Sequence, residues 1–295
     1  MSSSIDFSVP TWLIIYYHII FCSITDFHIT FLMQPIPLYP VLGGYCTGFL
    51  AVHFDVWAHY LMAFIVASIV AQIESLAICF FKKHQVIGKL MNRHVFPEKL
   101  LELVHIGLPF IPIVVFILFL QTGMKREEQM GYIRKNYIEL YTEFSSLSNF
   151  AVYEFNFWTS IVAIITFAGG IGCGLVFTFT TFEMFQFLKS TQLKRRISAS
   201  NLKKHKSAIK SLVAQFATSS LCLVPPFLYA VVIMSSLKYA QIIVQILLAI
   251  FSLHSSINAT VLVFTTPPYR NFVLRKQPKR NLIVAPVSVS HLSGI

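Results

Sequence analysis

The side chains that could carry out chemistry in this sequence are few, and they are scattered through long apolar segments. The densest polar cluster is His254, Ser255, Ser256 and Asn258, which lies within the apolar segment 240–264. No HExxH motif, Cys-x-x-Cys pair or histidine-rich cluster supplies the spacing that metal sites require. No serine, histidine and aspartate are arranged as a nucleophile with its base. The sequence therefore predicts no enzyme, no metal site and no cofactor.

The composition explains why these polar side chains lie among apolar segments. Of the 295 residues, 56% are hydrophobic and only 12% are charged, and 28 are phenylalanine. Soluble globular domains are usually about 25% charged. The chain is therefore predicted to be an all-α, polytopic membrane helical bundle, with apolar segments of membrane length as its spans. We count six of them, at 11–33, about 49–81, 101–121, 157–188, 211–234 and 240–264.

The basic residues indicate which side of the membrane each connection faces. Of the 23 lysine and arginine residues, 18 lie in the segments 81–100, 189–210 and 269–295, and the others lie in 122–157 or at Lys238. Cytosolic loops carry an excess of these residues, so the first three segments are predicted to be cytosolic and 122–157 to be outside. This placement accounts for the net charge of +11. It predicts the lipid bilayer as a partner and no nucleic acid.

Two features refine the predicted bundle. The segment from Cys46 to Phe81 is predicted to form one helix, with Asp55 and His59 four residues apart on the same face near the outer end. Gly170 and Gly174 are also four apart, and they make a small-residue face on their span. We interpret that face as a packing surface for a neighbouring helix, with a functional hinge as the alternative.

Several classes of membrane protein have compositions of this kind: receptors, secondary transporters, channels and membrane enzymes. Transporters usually place ionisable residues at mid-membrane and pair broken helices between two halves. In this sequence the spans after residue 100 contain few ionisable residues, and no broken span is paired with a similar one in another half. A receptor needs an outer ligand pocket, kinked helices that can shift, and a basic cytosolic face. The sequence favours a receptor, with a secondary transporter or another polytopic membrane protein as the alternative.

Three stretches, in this order, resemble the seven-transmembrane serpentine chemoreceptors of nematodes, class I and, close to it, class H. They are PIPLYPVLGGYCTGFL at 35–50, CFFKKHQVI at 79–87, and the His-Ser span that continues into Pro267-Pro268-Tyr269-Arg270. The resemblance covers most of the chain from about Thr25. It implies a G-protein-coupled chemosensory receptor of olfactory type, with a small-molecule chemical cue and a heterotrimeric G protein as partners. The expected location is the plasma or ciliary membrane of sensory neurons.

The resemblance implies seven spans, whereas this sequence has six. Thr11–Ile20 resembles the start of the family's first helix, and 25–42 resembles the end of its second helix and the following loop. We therefore expect a stretch to be missing near Phe21–Ser23, through a deletion, a splice form or a faulty gene model. Asp26, together with nearby histidines, makes the merged segment a costly span. A receptor shortened in this way is expected to reach the cell surface poorly.

The predicted organisation is a transmembrane receptor bundle over residues 1–268 and a cytosolic tail over 269–295. Aromatic and polar side chains usually line small-molecule sites. On that basis, the residues of the outer third predicted to bind ligand are Asp55, His59, Trp158, Tyr229, Gln241 and Gln245. The residues predicted to contact a G protein or the membrane surface are Lys203, Lys204, Lys206 and Arg270. The predicted kink or switch residues are Pro225, Pro226, His254, Asn258, Pro268 and Tyr269.

Two of these assignments have simpler alternatives. In the first alternative, Trp158, Tyr229 and Tyr239 are only anchors at the membrane interface, where aromatic residues are enriched. The lysines can serve only to attract anionic lipid, at about 1 kcal/mol for each basic residue near the surface.

Overall fold

The computed structural model describes residues 11–274, apart from 92, 94, 108, 191–197, 235–238 and 266, and at some helical positions it describes the backbone alone. This part of the chain is a bundle of long helices that carries a small β-sheet at one end. The predicted helical fold class is confirmed, with the sheet as an unpredicted addition. The predicted tail lies mostly outside the described residues.

The long helices follow the apolar segments of the sequence, and shorter helices fold between them. The helices are α1 (Thr11–Phe27, continued by a π-helical segment, His28–Met33), α2 (Phe49–Phe54), α3 (Ala58–Met91), α4 (Glu98–Gly107), α5 (Phe110–Leu120), α6 (Arg126–Asn136), α7 (Tyr141–Ser146), α8 (Phe157–Lys189), α9 (Ala199–Met234), α10 (Ala240–Ser252), α11 (His254–Thr265) and α12 (Pro267–Val273). The strands are β1 (Pro35–Pro37), β2 (Gly43–Cys46) and β3 (Ala151–Val152).

Two of the described helices, Ala58–Lys89 and Phe157–Lys189, are long and apolar enough to cross a membrane on their own. The helices Ala240–Ser252 and Ser256–Thr265, bent by 41° relative to each other, make a third span if they count as one. The other predicted spans are helical as well. Segment 11–33 forms α1 with its π-helical continuation, 101–121 is divided between α4 and α5, and 211–234 lies in α9.

Two contacts between α1 and α3 show that these helices run in opposite directions. His18 of α1 lies beside Ser75 of α3, and His28 reaches the carbonyl oxygen of Leu61, so α1 and α3 are antiparallel. The end of the bundle that carries the sheet is called the outer end here, following the predicted topology. The opposite end, where His84 of α3 meets Glu183 of α8, is called the inner end.

The predicted helix from Cys46 to Phe81 is wrong in its first part. The chain leaves α2 at Asp55, whose φ of 54° lies in the left-handed region, and α3 begins only at Ala58. Aspartate adopts this conformation more readily than most residues because its short polar side chain can form local hydrogen bonds. Asp55 and His59 therefore do not share a helical face. At the other end, α3 continues beyond Phe81 to Met91.

The predicted loops at the outer end are folded. β2 lies between β1 and β3 in an antiparallel sheet, with Pro35 opposite Cys46 and Gly43 opposite Val152. Gly44 allows the strands to approach, because a Cβ atom there would lie 2.7 Å from the carbonyl oxygen of Ile36. The segment that contains α6, α7 and β3 has its own apolar cluster, formed by Val41, Met124, Ile133, Phe144, Phe150 and Val152.

The small-residue face of α8 has no helix against it in the described part of the chain. A Cβ atom added at Gly170 or Gly174 would meet no atom within 4 Å. The interpretation of this face as a packing surface between helices of the bundle therefore finds no support in the contacts of the described residues.

The basic residues and the alternating helices predict the sidedness of the chain. Tags at the N-terminus and at the exposed Ser200 should be labelled by antibody only after permeabilisation, because six spans place both on the inner side. A tag at Gly131, on the exposed face of α6, should be labelled on intact cells. Labelling of the Ser200 tag on intact cells would contradict the assigned orientation.

Candidate functional site

A cavity of about 340 Å³ lies at the outer end, beneath the β-sheet. β1 and β2 cover it, α3 and α8 form two of its sides, and α10 closes a third. The π-helical segment contributes Ile29 and Met33. Small-molecule sites have volumes of about 300–1,000 Å³, so this cavity lies at the small end of that range.

The sequence folds in this way because apolar side chains from distant segments meet around the cavity. Ile29 and Met33, Cys46 of β2, Ile65 of α3 and Phe251 of α10 belong to one buried cluster. The cavity is lined mainly by these and similar side chains. Among the described lining residues there is no aspartate, glutamate, lysine, arginine or histidine.

The hairpin formed by β1 and β2 is attached to α10 by the side chain of Gln241. The backbone N–H of Tyr39 donates to Gln241 Oε1 at 3.0 Å, and Gln241 Nε2 donates to the carbonyl oxygen of Pro37 at 2.9 Å. Gln241 thus satisfies two backbone groups of the hairpin at once.

A second attachment joins the start of α3 to the segment before β3. Trp57 Nε1 donates to the carbonyl oxygen of Phe150 at 3.0 Å, and the Asn149 amide donates to the Asp55 carboxylate. These contacts hold β3 beside β2. The part of the chain predicted to be an outer loop therefore completes the cover of the cavity.

His59 connects this cover to the helices. Its side chain is 1% exposed, with Nδ1 3.2 Å from Tyr153 Oη and Nε2 3.2 Å from the carbonyl oxygen of Leu120, at the end of α5. The ring stacks on Phe119, with ring centroids 5.4 Å apart. A Cβ atom at Gly123 would lie 2.6 Å from His59 Nε2, so only glycine allows the chain to pass this close to the ring. Tyr153 and Phe119 line the cavity, and His59 supports them from behind.

The other predicted ligand residues lie away from the cavity or outside the described side chains. Asp55 is exposed at the surface with Asn149, Trp158 is 40% exposed, and Gln245 is exposed on α10. The side chain of Tyr229 lies outside the described residues. Of the predicted ligand residues, His59 and Gln241 thus lie at the border of the cavity, whereas Asp55, Trp158 and Gln245 do not.

Cys46 faces the cavity from β2, outside the spans. Burial raises the pKa of the Cys46 thiol to about 12. A thiol is a nucleophile only as thiolate, so Cys46 contributes an apolar surface with a weak donor and no reactivity. Sequence reasoning selected neither Cys46 nor Tyr153, although the apolar run Phe150–Tyr153 is a weak signal for a strand.

The inner end is held together by buried polar contacts. His84 Nε2 donates to Glu183 Oε2 at 2.6 Å, and Gln85 Nε2 lies 3.1 Å from His84 Nδ1. Gln85 Oε1 accepts from the backbone N–H of Phe96 at 2.9 Å. These bonds join α3, α8 and the connection that follows α3.

Around this inner end the predicted contact residues Lys203, Lys206 and Arg270 are exposed, and the side chain of Lys204 lies outside the described residues. Among the predicted switch residues, Asn258 is buried in α11. α9 continues through both of its prolines, and α12 begins immediately at Pro267. The side chains of the remaining switch residues, Pro225, Pro226, His254, Pro268 and Tyr269, lie outside the described residues.

A helical bundle with membrane-length apolar helices, an apolar outer cavity and a basic inner end has the features of a multi-helix membrane receptor. The chain belongs to the serpentine type 7TM GPCR chemoreceptor Sri family, whose model matches residues 20–273. No curated protein and no solved structure matches the chain.

Membership of this family confirms the predicted serpentine chemoreceptor, and with it an integral membrane protein that acts in signal transduction. The family is a receptor family and not a class of enzyme, and it implies in general a small-molecule ligand and coupling to a G protein. The alternative of a secondary transporter is not favoured.

The role of Gln241 can be separated from that of its neighbour one turn away. Gln241→Leu leaves the N–H of Tyr39 and the carbonyl of Pro37 without their partner, and we expect it to lower stability by about 1–3 kcal/mol. Thermal unfolding of the solubilised protein measures this as a lower Tm. Gln245→Leu, on the exposed side of α10, is the control and should leave Tm nearly unchanged. Equal Tm values for the two variants would contradict the attachment.

Proposed function

We propose that the protein is a G-protein-coupled receptor for a small chemical cue and that the cavity under the β-sheet is its ligand site. Family membership supports the receptor class. The observation that carries the site is a covered, apolar cavity of about 340 Å³ at the end of the bundle predicted to face outside. A site of this kind suits a small, neutral, largely apolar molecule.

The helices that line this cavity also reach the inner end. α3 contributes Ile65 to the cavity and His84 to the inner contacts, and α8 contributes Val162 and Glu183 in the same way. A ligand shifts a receptor between two arrangements only if it binds one of them better. Because the cavity lies between α3 and α8, its shape depends on how these two helices are placed.

A cavity-filling substitution tests the ligand site. Val162→Phe places an aromatic ring in the cavity from α8 and so fills part of it. We expect this change to reduce agonist potency at least about tenfold, a loss of about 1.4 kcal/mol in binding free energy. Ile164→Phe, two residues along the same helix at a position that is 66% exposed, is the matched control and should keep normal potency. The measurement is a dose–response curve at equal surface level. Equal potency of both variants would place the ligand elsewhere.

The exposed basic residues of the inner end are proposed to contact the G protein. Lys203, Lys206 and Arg270 lie on α9 and α12 and are exposed, and Lys204 is included by its place in the sequence. The competing role is attraction to anionic lipid, which is also electrostatic. Reversing the charges should reduce signalling if these residues contact the G protein, and membrane insertion if they only attract lipid.

Lys203→Glu with Lys206→Glu should abolish most of the ligand-evoked G-protein signal while insertion and surface level stay normal. Like charges would then face an acidic partner surface, which costs several kcal/mol. The control is Lys125→Glu with Lys135→Glu, which makes the same charge change at two exposed positions of the outer end, one just before α6 and one within it. Reduced or inverted insertion of the first variant, with signalling per inserted molecule unchanged, would instead support the lipid role.

We also propose that the kinks of the later helices, at Pro225, Pro226, His254, Asn258, Pro268 and Tyr269, are the positions where the arrangement changes. The 41° bend between Ala240–Ser252 and Ser256–Thr265, next to His254, supports this for the last span. The expected setting, by likeness to nematode receptors, is the plasma or ciliary membrane of a sensory neuron.

We also propose that the first segment of this chain is a merger of the first two helices of the family. Residues 11–33 form one continuous helical segment, and the family match starts at residue 20, next to the proposed join at Phe21–Ser23. Both observations support a receptor in which the first two helices are merged. The N-terminal tag described above is the check, because a tag labelled on intact cells would overturn the count of six spans.

A further inference from the structure

The short helix α2 has one side against the core and one exposed apolar side. Ala51 belongs to the buried cluster around the cavity, and Leu50 packs against that cluster. Phe49, Val52 and Phe54 lie outside the cluster and are exposed. Large apolar side chains that are exposed together usually mark a surface that contacts another protein or a membrane.

The exposed side of α2 continues a row of phenyl rings that begins on α1. Phe27 stacks on Phe31 with ring centroids 5.2 Å apart, and Phe31 stacks on Phe49 at 5.4 Å. The ring centroids of Phe49 and Phe54 are 5.6 Å apart. All four rings are exposed. They form one continuous apolar surface, called the phenyl row here, from the end of α1 to the end of α2.

The phenyl row extends an exposed stripe of the first segment. Ile20, Ile24, Phe27 and Phe31 follow one another at intervals of four, three and four residues, so they lie on one side of the helix. All four are exposed, and His18 on the opposite side faces α3. Because the family consists of membrane receptors, this stripe along a predicted span faces lipid.

The chain also fixes the level of α2 relative to the spans. α2 lies between the end of the segment 11–33 and the start of the span at Ala58. The N–H of Gly48, just before α2, donates to the carbonyl oxygen of Met33 at 2.9 Å. The start of α2 is therefore held beside the outer end of the first segment, and only residues 55–57 separate its end from α3.

Polar side chains mark the limit of the apolar surface. His53, on the exposed side of α2, has its ring centroid 4.9 Å from that of Phe49. Asp55 follows α2 directly, is exposed, and accepts a hydrogen bond from Asn149 of the outer segment. The apolar surface thus ends where polar side chains begin, as it does for helices at the boundary between acyl chains and headgroups.

We propose that α2 is an interfacial helix whose exposed side, with the phenyl row, lies among the acyl chains of the outer leaflet just below the headgroups. The partner is the hydrocarbon of the lipid, because the side chains of this surface carry no polar atom and the stripe below it faces lipid. A helix of this kind is held by the apolar area that it buries at the membrane surface. α2 is then neither part of the span that follows it nor a loop in water.

This placement makes one segment the boundary between lipid and the cavity. Ile29 and Met33 of the π-helical segment line the cavity, whereas Phe31 of the same segment faces lipid. Through the bond from Gly48 to Met33, α2 holds this segment and keeps the cover of the cavity at the membrane surface.

Spin labels test where this surface lies. A nitroxide is attached to Val52→Cys in the full-length protein in phosphatidylcholine nanodiscs. Power saturation then compares its collisions with oxygen, which concentrates in lipid, and with a nickel chelate, which stays in water. Ile164→Cys is the matched reference in lipid, because Ile164 on α8 is 66% exposed and Val52 is 64% exposed. Lys135→Cys, at an exposed position of α6, is the reference in water.

We expect the ratio of oxygen to nickel accessibility at Val52 to approach that at Ile164 and to exceed that at Lys135 several-fold. The unsubstituted protein, treated with the same label, gives the background from its own cysteines. Phe54→Cys, at a position that is also 64% exposed, should give the same ratio, and it decides the question should Val52→Cys not fold.

Two other results would overturn the inference. A ratio like that at Lys135 would place the exposed side of α2 in water. A label that meets neither oxygen nor the nickel chelate would show that protein covers this side, as a partner or a second copy of the chain would. Both results are read without ligand, so they leave the proposed ligand site as it stands.

Discussion

Buried polar contacts to α3 hold the bundle together. Gln72 donates to Thr25 of α1 at 2.6 Å, His59 donates to the Leu120 carbonyl of α5 at 3.2 Å, and His84 donates to Glu183 of α8 at 2.6 Å. Between helices in lipid there is little hydrophobic driving force, so packing and polar contacts of this kind decide which helices associate. α3 carries one such contact near each end and one near its middle, and the neighbouring helices are placed relative to it.

The histidine side chains of the first segment, 11–33, face α3 and not lipid, which changes what they cost. Counted by composition, Asp26 and the nearby histidines make it a costly span. In the structure His18 and His28 are buried, and both face partners on α3, at Ser75 and at the carbonyl of Leu61. The cost of a polar side chain in a membrane depends on whether it faces lipid or a neighbouring helix. His18, Cys22, Thr25 and His28 recur at helical spacing, so a shared buried face was readable from the sequence, while its partner was not.

The long helices could be predicted because apolar runs of membrane length have few other stable structures. The sheet could not be predicted, because β1 contains two prolines, which are rare in strands. β2 also pairs with a strand more than a hundred residues away, Gly43 with Val152. A ligand pocket in the outer third was predicted from the depth of aromatic and polar residues, and it stays a prediction; the cavity that the structure shows has other lining residues. This lining could not be predicted, because the left-handed turn at Asp55 changes the direction of the chain just before His59.

The same two helices, α3 and α8, form the sides of the cavity and are bonded at the inner end by His84 and Glu183. Separating a buried, hydrogen-bonded pair without giving it new partners costs about 3–5 kcal/mol. Changing a two-state equilibrium from almost wholly one arrangement to almost wholly the other requires a differential ligand affinity of about 5.5 kcal/mol. A single hydrogen bond to a small ligand contributes about 1 kcal/mol, which is too little to separate the pair. The pair can therefore separate only if the apolar contacts of the ligand, at about 0.8 kcal/mol for each buried CH2 group, also differ between the two arrangements, or if the G protein supplies new partners to His84 and Glu183. Neither is needed if α3 and α8 move as one unit.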